Sequence, residues 1–163
     1  MPGVRENTTT RPGGGPGVVI LQVNLNRSCA TQDLLTQNAA EQTVGILIVS
    51  EPSSAGKRGN WLVDRRGDAA ILTTRNLLGT ITLEGRGKGF VWARTSDSTI
   101  FSCYFSPNVA PENFEVQLDS LEASIRTTRG QDHRGWDFNA KSRTGGPRSW
   151  TRGAKPLPKS WRG

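Results

Sequence analysis

Five polar residues in this chain stand where an apolar run stops or is about to stop. Asn24 follows Val18-Val19-Ile20-Leu21-Gln22-Val23, and Glu51 follows Ile46-Leu47-Ile48-Val49-Ser50. Tyr104 closes the run that begins at Thr99, and Asp137 and Asn139 stand in GWDFNAKS, Gly135 to Ser142. A carboxylate at the end of an apolar strand is costly unless it is solvated, paired or bound to a metal. Asn24 places an amide just past a buried strand, where Asn commonly closes an Asx turn or caps a helix. Glu51 can bind a cation, or end a strand that Pro52 stops. Tyr104 can offer its hydroxyl to a ligand, or be a sheet-edge tyrosine with an apolar body and a wet tip.

The elements that must position these groups are legible in part. Val18–Asn24 and Ile46–Val49 have the β-branched composition of buried strands, and the spacing predicts a helix over Ala30–Glu41 between them. Strand, helix and strand in about thirty residues make a βαβ-like unit, which brings both strand ends to one edge. Short strands follow at Trp61–Val63, Ala69–Thr73, Thr80–Leu83, Phe90–Arg94 and Thr99–Tyr104, joined by hairpin turns. Gly85-Arg86-Gly87-Lys88-Gly89 reads as such a turn rather than a phosphate loop, with charges that can touch a nucleic-acid backbone. Pro111–Arg126 is the clearest helix, with Phe114, Leu118, Leu121 and Ile125 as its apolar stripe. A last strand is expected over Asp132–Phe138.

Composition narrows the class. The chain has 163 residues and no long apolar run, so a single α/β domain without a membrane span is expected. Cys29 and Cys103 lack metal-ligand spacing, His133 is the only histidine, and the N-terminal stretch is no secretory signal, so an intracellular setting is expected. The net charge is +7, but residues 17–142 carry 13 basic and 13 acidic residues, while residues 143–163 carry six Lys/Arg and no acid. The high pI therefore belongs chiefly to the tail, which can bind phosphate nonspecifically. Residues 1–16 (Gly, Pro and Thr) and 143–163 are expected to be disordered, leaving 17–142 as the folded unit.

The order Val23-Asn24-Leu25-Asn26, Ile48-Val49-Ser50-Glu51-Pro52, Ser102-Cys103-Tyr104-Phe105-Ser106-Pro107-Asn108 and Trp136-Asp137-Phe138-Asn139-Ala140-Lys141-Ser142 resembles the endonuclease/exonuclease/phosphatase superfamily. Within it, the chain is similar to the apurinic-type endonuclease domain of non-LTR (LINE-type) retrotransposon polyproteins, over about residues 18–142. The resemblance implies a four-layer α/β sandwich of the DNase I-like fold and Mg²⁺-assisted hydrolysis of a DNA phosphodiester. It casts Glu51 as the main metal carboxylate, with Asn24 supporting the metal site. Tyr104 becomes the phosphate contact, Asp137 the group that orients or deprotonates the attacking water, and Asn139 the holder of the scissile phosphate. DNA is the implied partner and the nucleus the implied location if the parent element is active.

The family pattern continues into a second half with another sheet and a Ser-Asp-His motif, which this chain lacks. The expectation is therefore a partial sandwich with an apolar sheet face left bare, and an inactive remnant. The alternative is a nucleic-acid-binding module acting through the basic tail. Permitted GC-rich codons for residues 143–163, read from the third base, spell a family-like continuation that begins Asp-Trp-Gly. A frameshifted retroelement copy predicts that the coding DNA reads so, with a reverse-transcriptase frame downstream. Coding DNA without a family-like shifted frame past codon 142 excludes it.

Overall fold

A computed structural model describes residues 4–8, 18–54, 59–77, 79–96, 98–131, 135–141 and 147–150, with side chains over 18–54, 59–77, 79–96 and 98–128. Strand β1 (Val4–Thr8) is followed by β2 (Val19–Asn24), helix α1 (Cys29–Glu41) and β3 (Val44–Ser50). Next come β4 (Trp61–Val63), β5 (Ala69–Thr73), β6 (Thr82–Arg86), β7 (Phe90–Arg94) and β8 (Ser98–Cys103). Helix α2 (Pro111–Gln131), β9 (Gly135–Lys141) and β10 (Pro147–Trp150) complete the order. One sheet runs β1-β2-β3-β5-β4 and the other β10-β9-β8-β7-β6.

Each sheet is built around one parallel pair joined by a helix: β2 with β3 through α1, and β8 with β9 through α2. The other neighbours are antiparallel. Strand β3 is buried at all seven positions, as its unbroken apolar run requires of a strand covered on both faces. Its alternation divides the core. Ile46 and Ile48 meet Ile20 and Ile71 of their own sheet and Val91, Ala93 and Ile100 of the other. Val44, Leu47 and Val49 face Ala39 and Leu35 of α1. On the far side Phe90, Phe101 and Cys103 meet Phe114, Leu118, Leu121 and Ile125 of α2. The result is the expected α/β/β/α sandwich. Strands β6–β8 cover the inner face of the first sheet, so the bare apolar face expected from the resemblance is corrected.

Local chemistry sets the helix starts. The Ser28 hydroxyl accepts from Thr31 N at 3.2 Å and caps α1. Pro111 opens α2 where no backbone donor is needed, and Glu112 stands in its first turn.

Several boundaries differ from expectation. Strand β6 lies at Thr82–Arg86, partly inside the segment expected to be a turn. The reason is Trp92: a Cβ on Gly85 would stand 2.1 Å from its ring, so glycine here makes room for a cross-strand indole. Strand β9 runs to Lys141, past the expected end at Phe138, because β8 and β10 hold its backbone on both sides. Residues 132–134 of the expected strand lie outside the described residues. Strands β1 and β10 fall in segments expected to be disordered. They form by antiparallel backbone pairing to β2 and β9, which needs no apolar pattern of its own.

One buried side chain ties the two sheets together at the end where β3 stops. Asp64, 5% exposed, accepts four backbone N–H groups. Its Oδ1 takes Asp68 N at 2.7 Å and Ala69 N at 3.0 Å, and its Oδ2 takes Arg66 N at 3.0 Å. The fourth donor is Gly89 N of the β6–β7 turn, at 2.7 Å to Oδ2. Deleting this acceptor orphans buried donors, each costing about 1–3 kcal/mol. Asp64→Ala should therefore lower unfolding free energy by about 3 kcal/mol or more in a denaturant titration, while Asp119→Ala on exposed α2 stays within about 0.5 kcal/mol. Equal effects would remove Asp64 from this structural role.

Candidate active site

The parallel pairing of β2 and β3 puts Asn24 directly beside Ser50, so the residues after both strands share one edge. Two backbone bonds hold the exits together: Leu25 N to Ser50 O at 3.0 Å and Arg27 N to Glu51 O at 2.9 Å. The turns are tight enough to need left-handed backbone. Asn26 has φ 47°, Arg27 φ 63° and Glu51 φ 49°. Outside glycine this conformation costs about 1–2 kcal/mol per residue, and such residues gather at ligand sites.

Asn24 Nδ2 donates to Glu51 Oε2 at 3.0 Å, while its Oδ1 accepts from Asn26 N at 2.8 Å. One side chain thus closes the Asx turn and holds the Glu51 carboxylate. Tyr104 arrives from the other sheet. Its backbone N donates to Gly89 O at 2.8 Å, and its hydroxyl lies close enough to the Glu51 carboxylate for that charge to act on it. Gly89 has φ 84°, and a Cβ there would come within 2.7 Å of Tyr104 O, so this approach of the turn to Tyr104 requires glycine.

Around this trio stand groups that the sequence reading did not single out. The antiparallel register of β3 and β5 pairs Ser50 with Ala69, which brings Asp68 beside Glu51. Glu51 N donates to Asp68 O at 2.8 Å. Asp68, 7% exposed, is held by the Arg27 guanidinium and by Arg66 Nε at 3.2 Å. Arg27 also donates to Gly67 O at 3.2 Å. The sequence signals were the clustered charge of Asp64-Arg65-Arg66-Gly67-Asp68 just before a strand and the family-like look of the stretch Gly59–Ile71 that contains it.

Asp137 and Asn139 lie within β9 rather than beyond a strand end. The parallel register sets Asp137 beside Ile100 and Asn139 beside Ser102, two residues before Tyr104 on the neighbouring strand. The backbone thus carries them toward the edge at which Tyr104 stands. His133 lies outside the described residues.

Electrostatics distinguish the groups. Burial, then the hydrogen bond to Glu51 and its charge, then Asp68, push the Tyr104 hydroxyl up from 10.0 to about 12, against a lowering by Arg27. It is a persistent proton donor. Burial chiefly, with Asp64 adding, pushes the Cys103 thiol far up, so it is no nucleophile. Among the described residues no group of three or more His, Cys, Asp or Glu gathers as a metal cage. No helix among them is long and apolar enough to cross a membrane.

Two stacked sheets with a helix outside each define an architecture that solved structures share. The fold is that of a retrotransposon endonuclease domain. The chain superimposes on the endonuclease domain of TRAS1, a telomere-specific non-LTR retrotransposon, with a TM-score of 0.54 and 22% identity. The match covers 76% of this chain and 61% of that one, so this chain spans about three-fifths of the TRAS1 domain. No protein-family model and no curated protein matches.

Tyr104 is the only tyrosine, so its ionisation can be read directly from phenolate absorbance. The midpoint should lie near 12, and Glu51→Gln should lower it. A folded-state value raised above the unfolded one gives stability that is complete below pH 10 and lost as pH rises through about 12. Tyr104→Phe should abolish that alkaline loss. A midpoint at 10.0 in the folded protein would break the Tyr104–Glu51 link.

Proposed function

We propose that the Glu51 cluster is a metal-assisted phosphodiesterase site acting on DNA, of the kind carried by retrotransposon endonucleases. The observation that carries the reading is the Asn24–Glu51 hydrogen bond at 3.0 Å on one sheet, with the Tyr104 hydroxyl of the other sheet within reach of the Glu51 charge at one edge of an endonuclease fold.

The residues suit Mg²⁺, which uses one or two carboxylates and keeps several waters. Glu51 is partly exposed and would hold the ion, with Asn24 fixing its carboxylate. Bound there, the ion would polarise a phosphoryl oxygen and offset developing charge. Tyr104, protonated at neutral pH, donates to a phosphate oxygen when its hydroxyl turns from Glu51. Arg27 and Arg66 add positive charge beside the trio. From β9, Asp137 orients or deprotonates the attacking water and Asn139 holds the scissile phosphate. General acid–base transfer contributes about 10²–10⁴-fold. The Ser-Asp-His motif of the family pattern is not among the residues of this sequence, so the resemblance sets the expectation of nicking at or near background. A second reading, binding through the basic tail, is favoured by the six Lys/Arg of residues 143–163.

Two measurements test the site. Mg²⁺ should tighten binding of the full chain to duplex DNA, and the Glu51→Gln variant should lose that response while keeping its metal-free affinity. An equal Mg²⁺ response in both proteins overturns the site assignment, and affinity carried wholly by Lys/Arg of the tail supports the second reading. Nicking of supercoiled plasmid in Mg²⁺ by the parent but not by Asp137→Ala would overturn the expected inactivity and leave the site standing.

A further inference from the structure

Residues 17–142 carry equal numbers of basic and acidic side chains, yet the fold concentrates exposed positive charge at one place. Arg65 and Arg66 stand in the loop between β4 and β5, Arg86 ends β6, and Lys88 stands in the β6–β7 turn; all four are exposed. We propose that these four residues form a basic rim that receives the phosphate backbone of duplex DNA beside the Glu51 cluster. The proposal rests on the phosphodiesterase reading of that cluster.

Three features join the loops into one surface. Arg65 N donates to Gly87 O at 3.0 Å, which bonds one loop to the other. The Asp64 carboxylate takes Arg66 N at 3.0 Å and Gly89 N at 2.7 Å through the same oxygen, so one buried group sets their separation. Arg86 pairs across the strands with Val91, and Val91 packs against the other sheet. Paired residues share a sheet face, so Arg86 stands on the side of the edge strand that looks toward the Arg65 loop.

The rim is connected to the trio. Gly89, whose N–H Asp64 holds, gives its carbonyl to Tyr104 N at 2.8 Å, and the Tyr104 hydroxyl stands beside the Glu51 charge. Of the acids of this region only Asp68 draws on the rim, through Arg66. Asp64 is buried and filled by four N–H groups, and Asp68 is 7% exposed and covered by Arg27 and Arg66. Glu84 pairs with Arg94 at 3.7 Å. Lysine and arginine on two loops held at fixed spacing suit a strand of phosphates, which fixes a duplex over a site without reading its bases.

The test is the salt dependence of duplex binding, read by anisotropy of a labelled DNA with the full chain and no divalent metal. Each phosphate contact contributes about 0.9 to the slope of log affinity against log salt. Arg86→Ala with Lys88→Ala should reduce the slope by about 1.8, and Arg65→Ala with Arg66→Ala by a similar amount. Charges of residues 143–163 contribute equally to parent and variants, so they cancel in the difference. Arg126→Ala, on α2 with a side chain 76% exposed, is the control and should change nothing. An unchanged slope in the Arg86/Lys88 pair, which makes no buried contact to lose, overturns the proposal. An equal drop in the control also overturns it, because binding would then follow diffuse charge. Glu51→Gln should keep the parent slope, so loss of the Mg²⁺ response with an intact rim effect separates the two readings.

Discussion

The buried Asp64 carboxylate is the interaction on which the functional end depends. A carboxylate in a protein interior is tolerated only when its oxygens are filled, and here backbone donors from two loops fill them. Two of those donors belong to the loop that leads into β5, the third is the first residue of β5, and the fourth lies in the turn between β6 and β7. A single charge therefore sets how the sheet carrying Glu51 meets the sheet carrying Tyr104. The apolar layer between the sheets supplies adhesion, but Ile and Val side chains do not specify a separation of polar groups to a fraction of an ångström. Hydrogen bonds to a fixed acceptor do.

Around that anchor the backbone is bent out of its easy conformations. Asn26, Arg27 and Glu51 are left-handed without being glycine, and each lies within a few bonds of the proposed metal carboxylate. The bends let Arg27 N reach Glu51 O and Asn24 reach the Glu51 side chain. Strain of this kind persists because neighbouring hydrogen bonds over-determine it, and it fixes Glu51 in advance of any ligand. The Tyr104 hydroxyl then has a carboxylate to donate to, which with burial keeps its proton on.

The charge of the molecule has two separate sources. The tail is basic by composition, and any compact or extended form of it would attract phosphate. The end bearing Arg27, Arg65, Arg66, Arg86 and Lys88 is basic by placement, in a segment of zero net charge. Composition cannot distinguish a neutral surface from a polarised one. Only the pairing of β3 with β5 and the bond between Arg65 and Gly87 gather these side chains at one edge.

By itself the sequence determined the elements whose periodicity is strong and the ends at which polar groups appear. The βαβ unit of β2, α1 and β3 was legible because unbroken Val/Ile runs must be buried, and α2 because its apolar stripe recurs at helical spacing. Asn24, Glu51 and Tyr104 stood out as polar groups that end such runs, each with a bland reading beside the functional one, and the resemblance rather than the residues alone singled them out. Tertiary structure decided the rest. Asp68 reached the site through the antiparallel register of β3 with β5 and Arg27 through the parallel pairing of β2 with β3, which no local pattern encodes, and Asp64 joins its own loop to Gly89 of a turn remote in sequence. The strand at Thr82–Arg86 was hidden by Gly85, a residue that reads as a turn until Trp92 is known to lie across from it. Strands β1, β9 and β10 rest on backbone pairing to neighbours. Hydrogen bonding between main chains is nearly indifferent to side-chain type, so it leaves little trace in a sequence.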